Sequence, residues 1–203
     1  MFTLPLVPEH VWISLGGAKL PSKRTLDAWI FVRFPAVFRT VSRLTFRLPR
    51  HSRLRQASFR RSVSRAQGAW MRDDFEFGLI GYAPDVVLTV EARPGTRLDL
   101  EQSYRGRDGV RAFIRTFQDA FGDLSYEPQW LVDLGDNLLV MLLKQRLRGR
   151  ASGAEVEQVS AHRLQMRNGL VVREEVHAGP GQDWEPILRA VGLDPAELAR
   201  RST

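Results

Sequence analysis

The stretch that decides the fold is AHRLQMRNGLVVREEVHA, residues 161–178. Asn168-Gly169 separates two runs in which apolar and polar residues alternate. An Asn-Gly pair readily adopts the positive φ angles that a two-residue hairpin turn requires. The pattern therefore predicts two antiparallel strands, at residues 155–166 and 170–178, joined by a tight turn.

A second hairpin is predicted immediately upstream. Residues 125–134 and 138–150 are both rich in strand-forming residues, and Gly135-Asp136-Asn137 lies between them as a turn. The small residues at 151–153 then turn the chain into the strand at 155–166. The second half of the chain thus predicts a run of long antiparallel strands.

Helices are predicted before this run. Residues 53–70, RLRQASFRRSVSRAQGAW, have a helical pattern, and Asp73 is expected to cap the next short helix. Glu76, three residues further on, would reach back to the cap, and the helix would end near Tyr82, because Pro84 cannot continue it.

A strand pair and three more helices complete the predicted elements. The strands are DVVLTVE (85–91) and LDLEQSY (98–104), with a turn at Pro94-Gly95; the helices span 108–121, 183–192 and the tail after Asp194. Because helices and strands are segregated, the sequence predicts an α+β fold with helices on the concave face of a curved antiparallel sheet. The domain expected is 59–193, preceded by a basic, partly helical arm (1–58) and followed by a tail helix (194–203).

The composition excludes several kinds of site. The chain of 203 residues contains no Cys, which removes disulfides, thiolate metal sites and cysteine nucleophiles. Its four His are scattered and lack metal-binding spacing. The absent Cys and the spacing of the His mean that no metal site is expected. No glycine-rich nucleotide loop or nucleophile elbow is present either, so no cofactor is expected. The start of the chain does not have the pattern of a signal peptide, and a cytoplasmic protein is expected.

The positive charge is concentrated in the arm, where residues 1–65 carry 13 Lys and Arg against two Asp and Glu. An apolar stripe is predicted along helical residues of this segment, with arginines on the opposite face. The stripe comprises Ile30, Phe34, Val37, Phe38, Val41, Leu44 and Leu48. The interpretation favoured is that the stripe packs on the body. The alternative is that residues 25–65 lie on a membrane surface. Binding to nucleic acid is disfavoured, because no recognised binding motif accompanies the positive charge.

Four patterns together resemble the SnoaL-like proteins of the nuclear transport factor 2-like superfamily. They are DDFEFGLIGYAPDVV (73–87), YRGRDGVRAFIRTF (104–117), VDLGDNLLVML (132–142) and the hairpin quoted first. The resemblance implies a cone-shaped sheet around an apolar pocket, as in polyketide cyclases and ketosteroid isomerases, and a homodimer formed through the outer face of the sheet.

The resemblance also implies a candidate for acid–base chemistry. His162 stands seven residues before Gly169, where the family's cyclases place an active-site His. The cyclases' carboxylate position is Val176 here, and Glu174, two residues earlier on the same strand face, is the candidate substitute. The alternative for Glu174 is a place on the protein surface or an ion pair with Arg173 or Arg163. Tyr82 is the candidate phenol donor.

The expected function follows from these residues. An apolar small molecule would lie against Trp70, Phe113, Phe117, Trp130 and Val176, and an isomerase, cyclase or hydrolase reaction would use His162 as acid or base. The isomerase-type Asp position is Val90 in this chain, so an isomerase would need another base. The alternative is a module without catalytic activity that binds a ligand or dimerises, with the arm docking on a membrane or a partner.

Overall fold

The computed structural model describes residues 10–16, 20–92, 101–181 and 183–201, which build a seven-stranded sheet in the order β1-β4-β5-β6-β7-β2-β3. The strands are β1 (Val11–Ser14), β2 (Tyr82–Ala92), β3 (Ser103–Arg105), β4 (Phe121–Gly135), β5 (Leu138–Gly149), β6 (Glu155–Arg167) and β7 (Leu170–Pro180). Neighbouring strands are antiparallel, apart from the parallel pair β2 and β7. The predicted α+β fold with a curved sheet is confirmed.

Helices cover both faces of this sheet. They are α1 (Leu26–Arg33), α2 (Pro35–Arg47), α3 (Arg53–Trp70), α4 (Phe75–Gly78), α5 (Gly106–Ala120), α6 (Glu185–Ala190) and α7 (Pro195–Ala199). Helices α3 and α5 pack on the inner face, where Phe113 and Phe117 bury against β2 and β7. Helices α6 and α7 pack on the outer face.

Both predicted hairpins are confirmed. Asn168 and Gly169 have φ angles of 54° and 78°, and Asp136 and Asn137 have φ angles of 47° and 59°. These left-handed conformations are typical of two-residue turns whose twist matches that of the strands they join. The two turns fix the register of β4 to β7, which places alternate residues of each strand on the inner face.

The beginning of the arm contains a strand that was not predicted from the sequence. Residues Val11–Ser14 pair with β4 as β1, with Trp12 opposite Val132. Ile13 packs on the inner face and Trp12 on the outer face. A short β-branched and aromatic run suits an edge strand, although the prolines and glycines around it obscure its pattern.

The predicted cap of α4 is shifted by one residue. Asp73 has a positive φ of 56°, and Asp74 accepts the hydrogen bond from the Phe77 N–H instead. The helix ends at Gly78, so Tyr82 does not close a helix; it is the first residue of β2. The shorter helix leaves Tyr82 on the inner face of the sheet.

Two sequence predictions fall around β2 and β3. A register shift between Tyr82 and Val87 accommodates Pro84 within β2, since proline cannot donate a ladder hydrogen bond. The predicted Pro94-Gly95 turn lies outside the described residues. Its partner strand is described only from residue 101 onward, and Ser103–Arg105 pair with β2.

The arm forms two helices that pack with a different face from the one predicted. Phe34 breaks the helical path with φ −131° and ψ 76°, and Pro35 begins α2. Most residues of the predicted apolar stripe are exposed. The prediction that the stripe packs on the body was therefore wrong for those residues. The body-facing residues of α2 are Phe38, Ser42, Thr45 and Phe46. Ser42 donates to the Gly169 carbonyl at 2.7 Å, which brings α2 against the β6–β7 hairpin.

The arm and the domain share one helix. Helix α3 is continuous over Arg53–Trp70, so the boundary predicted between residues 58 and 59 lies inside it. Asp27 of α1 pairs with Arg65 and Arg61 of α3, and Arg24 forms hydrogen bonds to both oxygens of Asp74. The arm is therefore tied to the body at several places along α3 and α4.

The outer face of the sheet is covered by the C-terminal helices. Val140 and Leu142 of β5 bury against Ile187 and Leu188 of α6. The Trp12 Nε1–H donates to Glu197 of α7 at 2.8 Å, which ties the tail to β1. The homodimer expected through this face stays a prediction, and it would have to use the part of the face that α6 and α7 leave open.

Candidate functional site

The inner face and the arm enclose two adjoining cavities. The outer cavity, of about 380 Å³, lies between α2, α3 and the sheet. The inner cavity, of about 80 Å³, lies deeper, between α5 and the strands. The residues that line both are Gln67, Trp70, Tyr82, Met141 and Glu174. These shared residues mark the place where the two cavities meet.

Three polar side chains meet at this junction. The Glu174 Oε1 lies 2.7 Å from His162 Nδ1, and the Glu174 Oε2 accepts from the Tyr82 hydroxyl at 2.8 Å. Glu174 is 3% exposed. The sequence candidates His162, Glu174 and Tyr82 are therefore brought together by the fold.

The register explains how Glu174 reaches His162. His162 pairs directly with Val176, and Glu174 pairs with Leu164. Glu174 is thus the diagonal neighbour of His162 on the same face, within reach of a long side chain. Arginine pairing, the alternative for Glu174, falls to Glu175, which takes both Arg163 and Arg173.

One ring nitrogen of His162 has no partner within residues 10–16, 20–92, 101–181 and 183–201. When Glu174 is ionised it can only accept, and His162 Nδ1 then carries the proton between them. The other nitrogen, Nε2, is buried, has no hydrogen-bond partner among the described residues, and belongs to a side chain that lines the inner cavity. A neutral imidazole in this tautomer presents a free lone pair at Nε2, which suits a general base.

Tyr82 stays protonated at neutral pH. Burial raises the pKa of its phenol well above the ordinary value of 10.0, and the charge of Glu174 and the hydrogen bond to it raise the pKa further. The phenol therefore donates to Glu174 and is not a free acid for a ligand. Its role in this arrangement is to hold the carboxylate oxygen that faces away from His162.

Most of the expected pocket residues line these cavities. Phe113, Phe117 and Val176 line the inner cavity, and Trp70 lines both. Trp130 does not line either cavity. It packs edge-on against Trp12, with ring centres 5.9 Å apart, in the cluster on the outer face. Residues next to each other in a strand point to opposite faces, and Leu131 is the neighbour that faces inward.

Sequence reasoning missed two polar residues of the cavity wall. Gln67 of α3 is buried, and the one contact of its amide nitrogen that satisfies hydrogen-bond criteria within the described residues is a weak one, to Met141 Sδ at 4.0 Å. Gln145 of β5 lines the inner cavity and accepts from Gln158 at 2.6 Å. Gln67 stands three residues before Trp70 on one helix face, a spacing that could have indicated its place.

A second His–carboxylate pair lies elsewhere on the sheet. His177 Nδ1 lies 3.2 Å from Glu91 Oε2, and Glu91 is mostly exposed. His177 follows Val176 in β7 and so points away from the inner cavity. The described residues contain no group of three or more acidic or His side chains placed to hold a metal ion. No helix among them is long and apolar enough to cross a membrane.

Solved structures with this fold are similar to the chain at low sequence identity. TerC, co-crystallised with polyporic acid, is 18% identical with a TM-score of 0.50, over 57% of this chain and 87% of TerC. A nuclear transport factor 2-like protein of unknown function from Burkholderia pseudomallei is 24% identical with a TM-score of 0.51, over 65% and 95%. Bal32a, from a soil-derived mobile gene cassette, is 12% identical with a TM-score of 0.51, over 58% and 86%.

The comparison with protein families is more specific. No curated protein matches the sequence. The model of the SnoaL-like domain matches residues 63–174, more than half of the 203 residues and a span that contains Tyr82, His162 and Glu174. The chain belongs to the SnoaL-like domain family.

Proposed function

We propose that this protein catalyses a proton-transfer reaction on an apolar, carbonyl-bearing small molecule, with His162 as the general base. The observation that carries the proposal is the buried Nε2 of His162, which has no hydrogen-bond partner in the described part of the chain and lies on the wall of an aromatic cavity, while Glu174 holds the Nδ1 of the same ring. Glu174 fixes the tautomer and the orientation of the His162 ring, as carboxylates do for other imidazoles to which they are hydrogen-bonded.

The chemical step begins at a C–H bond next to the carbonyl. His162 Nε2 accepts the proton, and the electron pair of the C–H bond moves toward the carbonyl oxygen to give an enolate. In an isomerisation the proton returns from Nε2 to another carbon. In a cyclisation the enolate carbon attacks a second carbonyl, the π electrons of that carbonyl move to its oxygen, and this oxygen takes the proton from Nε2. Gln67 is the donor proposed for the enolate oxygen, because it lines both cavities and its amide nitrogen has a weak contact with the Met141 sulfur.

The lining supports an apolar ligand. Phe113, Phe117 and Trp70 surround the site with aromatic surface, and the outer cavity adds side chains of α2 and α3. The outer cavity, of about 380 Å³, lies in the range of small-molecule sites, and the adjoining inner cavity, of about 80 Å³, leaves room for the reacting part of such a ligand beside His162. The pocket therefore favours ring systems of modest size over charged metabolites.

The test is deuterium uptake. The protein is incubated with hydrophobic ketones such as 1-tetralone in deuterated buffer, and deuterium at the α carbon is measured by mass spectrometry. We expect exchange with the wild type and a loss of about 100- to 10,000-fold in His162→Gln. His177→Gln is the matched control, since it removes a carboxylate-paired His on the other face of the same strand pair.

Glu174→Gln tests the positioning role separately. The amide must accept from Tyr82 with its oxygen, so its NH₂ faces His162 Nδ1 and favours the tautomer with the proton on Nε2. We expect the exchange rate to fall while the ¹⁵N spectrum of His162 shows the switched tautomer; Glu91→Gln should leave both unchanged.

A binding measurement separates an enzyme from a passive binder. Polyporic acid is a suitable first probe, because TerC has been co-crystallised with it. Binding is followed by quenching of Trp70, with Trp70→Phe as the background. The catalytic proposal would be refuted if the wild type and His162→Gln both bound polyporic acid tightly and neither exchanged deuterium into any of the ketones tested. That result would favour a carrier.

A further inference from the structure

The arm helices keep a large apolar surface in solvent. We define the arm surface as the exposed apolar side chains of α1 and α2 and the break between them: Leu26, Trp29, Ile30, Phe34, Val37, Val41 and Leu44. Leu26 is 79% exposed and Trp29 60%. Folded proteins rarely leave a run of large apolar side chains uncovered without an interaction to make.

A row of arginines runs beside this surface. Arg39, Arg43 and Arg47 follow one another at steps of four along α2, next to the stripe of Val37 and Leu44. All three are exposed. Within the described residues no carboxylate lies at ion-pair distance from any of them. The basic charge of the arm is therefore still available to an anionic partner.

We propose that the arm surface docks on an anionic lipid bilayer, with α2 lying in the plane of the interface. An amphipathic helix with Phe, Val and Leu at one side and Arg at the other binds at the boundary of headgroups and acyl chains. Each cation near an anionic leaflet strengthens the binding further. Charge complementarity favours this occupant over a second copy of the chain, whose arm surface carries the same positive charge.

Docking would place the mouth of the outer cavity at the bilayer. Val41 belongs to the arm surface and also lines the outer cavity, together with Phe31 and Phe38 of the same two helices. Arg61, which is largely exposed, lines the cavity from α3. The cavity thus reaches the surface between α2 and α3. On the proposed function, this path would admit an apolar ligand directly from the lipid phase.

The first experiment uses vesicles and the full-length protein. Truncating the arm is unsuitable, since residues 1–65 include β1 and much of α3. Sedimentation with phosphatidylcholine vesicles is compared with vesicles that also contain phosphatidylglycerol, at low and high salt. We expect binding to the anionic vesicles, weakened by salt because exposed charges are screened. No binding to anionic vesicles at low salt would overturn the proposal.

A charge variant tests the arginine row. Arg39→Gln/Arg43→Gln should weaken binding about 30-fold, from roughly a five-fold effect of each cation near the membrane. The matched control is Arg105→Gln/Lys144→Gln, which removes two exposed cations elsewhere. Equal weakening by both pairs would mean attraction by net charge alone and would contradict docking through the arm surface.

An apolar variant tests insertion. Val37→Gln/Leu44→Gln should weaken binding by about 100-fold, since it removes two aliphatic side chains from the acyl boundary. Met71→Gln/Val156→Gln, two exposed apolar residues away from the arm, should have little effect. All four positions are exposed, so the thermal unfolding temperature should not change.

Two further outcomes assign a different partner. The arm surface would be assigned to a second copy of the chain by two results together. The wild type would be a dimer by light scattering and would bind no vesicles, and Val37→Gln/Leu44→Gln would be a monomer. His162→Gln should bind vesicles as the wild type does. This result keeps the bilayer proposal independent of the chemistry in the pocket.

Discussion

The ion pair between Arg55 and Asp133 holds the arm to the sheet, and its removal gives a large, measurable prediction. Arg55 Nη2 lies 2.7 Å from Asp133 Oδ2, as an ion pair without hydrogen-bond alignment. Arg55 Nη1 donates to the carbonyls of Phe46 and Leu48 at 2.7 and 2.8 Å. Both carbonyls lie at the C-terminal end of α2, where a helix supplies no N–H for its last carbonyls, so Arg55 caps α2 and also neutralises a buried carboxylate.

The perturbation is Arg55→Met, which keeps much of the aliphatic volume and removes the charge. Asp133 is 1% exposed and would keep Arg50 Nε at 3.6 Å as a partial partner. Breaking a buried pair by removing one partner costs about 3–5 kcal/mol. For a protein of this size that corresponds to a fall of about 6–20 °C in Tm. Circular dichroism during heating and urea unfolding measure the loss.

Two comparisons make the result decisive. Arg146→Met removes one partner of an exposed pair with Glu157 and should cost less than about 1 kcal/mol. Arg55→Met/Asp133→Leu replaces both buried charges and should recover most of the loss, because the cost lies in an uncompensated charge. A loss below about 1 kcal/mol in Arg55→Met would refute the buried pair and the docking of α2 that depends on it.

Two other predictions concern the same docking of the arm. Gly169→Ala should lower Tm, because φ is +78° and a Cβ would lie 2.9 Å from the Arg43 backbone nitrogen; Asn168→Ala is the comparison that strains the turn without this contact. Burial raises the pKa of Asp74, but Arg24 and the Phe77 N–H outweigh it and hold that pKa below 3.8. A depressed pKa adds stability that is present above about pH 4 and lost on acidification, so Asp74→Asn should flatten the fall of Tm below pH 4.

The elements that depend on local chemistry could be predicted from the sequence. The turn at Asn168-Gly169 and the strands on either side of it follow from residues close in the chain. Helix α3 begins and ends where its pattern indicates, and the Ser52 side chain caps its first turn. Such signals act within a few residues and survive the tertiary fold.

The choice between faces could not be predicted in the same way. The stripe of α2 that contains Val37 and Leu44 has the stronger apolar pattern, yet the stripe with Ser42 and Phe46 faces the body. The reason lies 127 residues further along the chain, where the Gly169 carbonyl accepts from Ser42 and small side chains permit close approach. A pattern shows which faces are available, and a distant backbone decides between them.

Glu174 illustrates the same limit at the candidate site. The chain offers Glu174 and Glu175 side by side, with arginines nearby that could pair with either. Alternation assigns one to each face, but which one meets His162 depends on the register of β6 and β7, set by the turn and by the shift between Gln165 and Met166. The turn could be read from the sequence, whereas the shift could not.

The helices on either side of the sheet determine which of its surfaces are open to a ligand or a second subunit. The C-terminal helices cover the outer face with Ile187 and Leu188, which leaves less apolar surface there for a second subunit. The N-terminal helices cover most of the inner face. The outer cavity is left open to solvent beside Val41, which lines it and is exposed. The proposed base, His162, lies on strands held by long ladders of hydrogen bonds. The proton transfer would therefore depend on the rigid sheet, whereas entry and exit of the ligand would depend on the position of the arm helices. Arg55→Met changes the packing of the arm and leaves His162 in place.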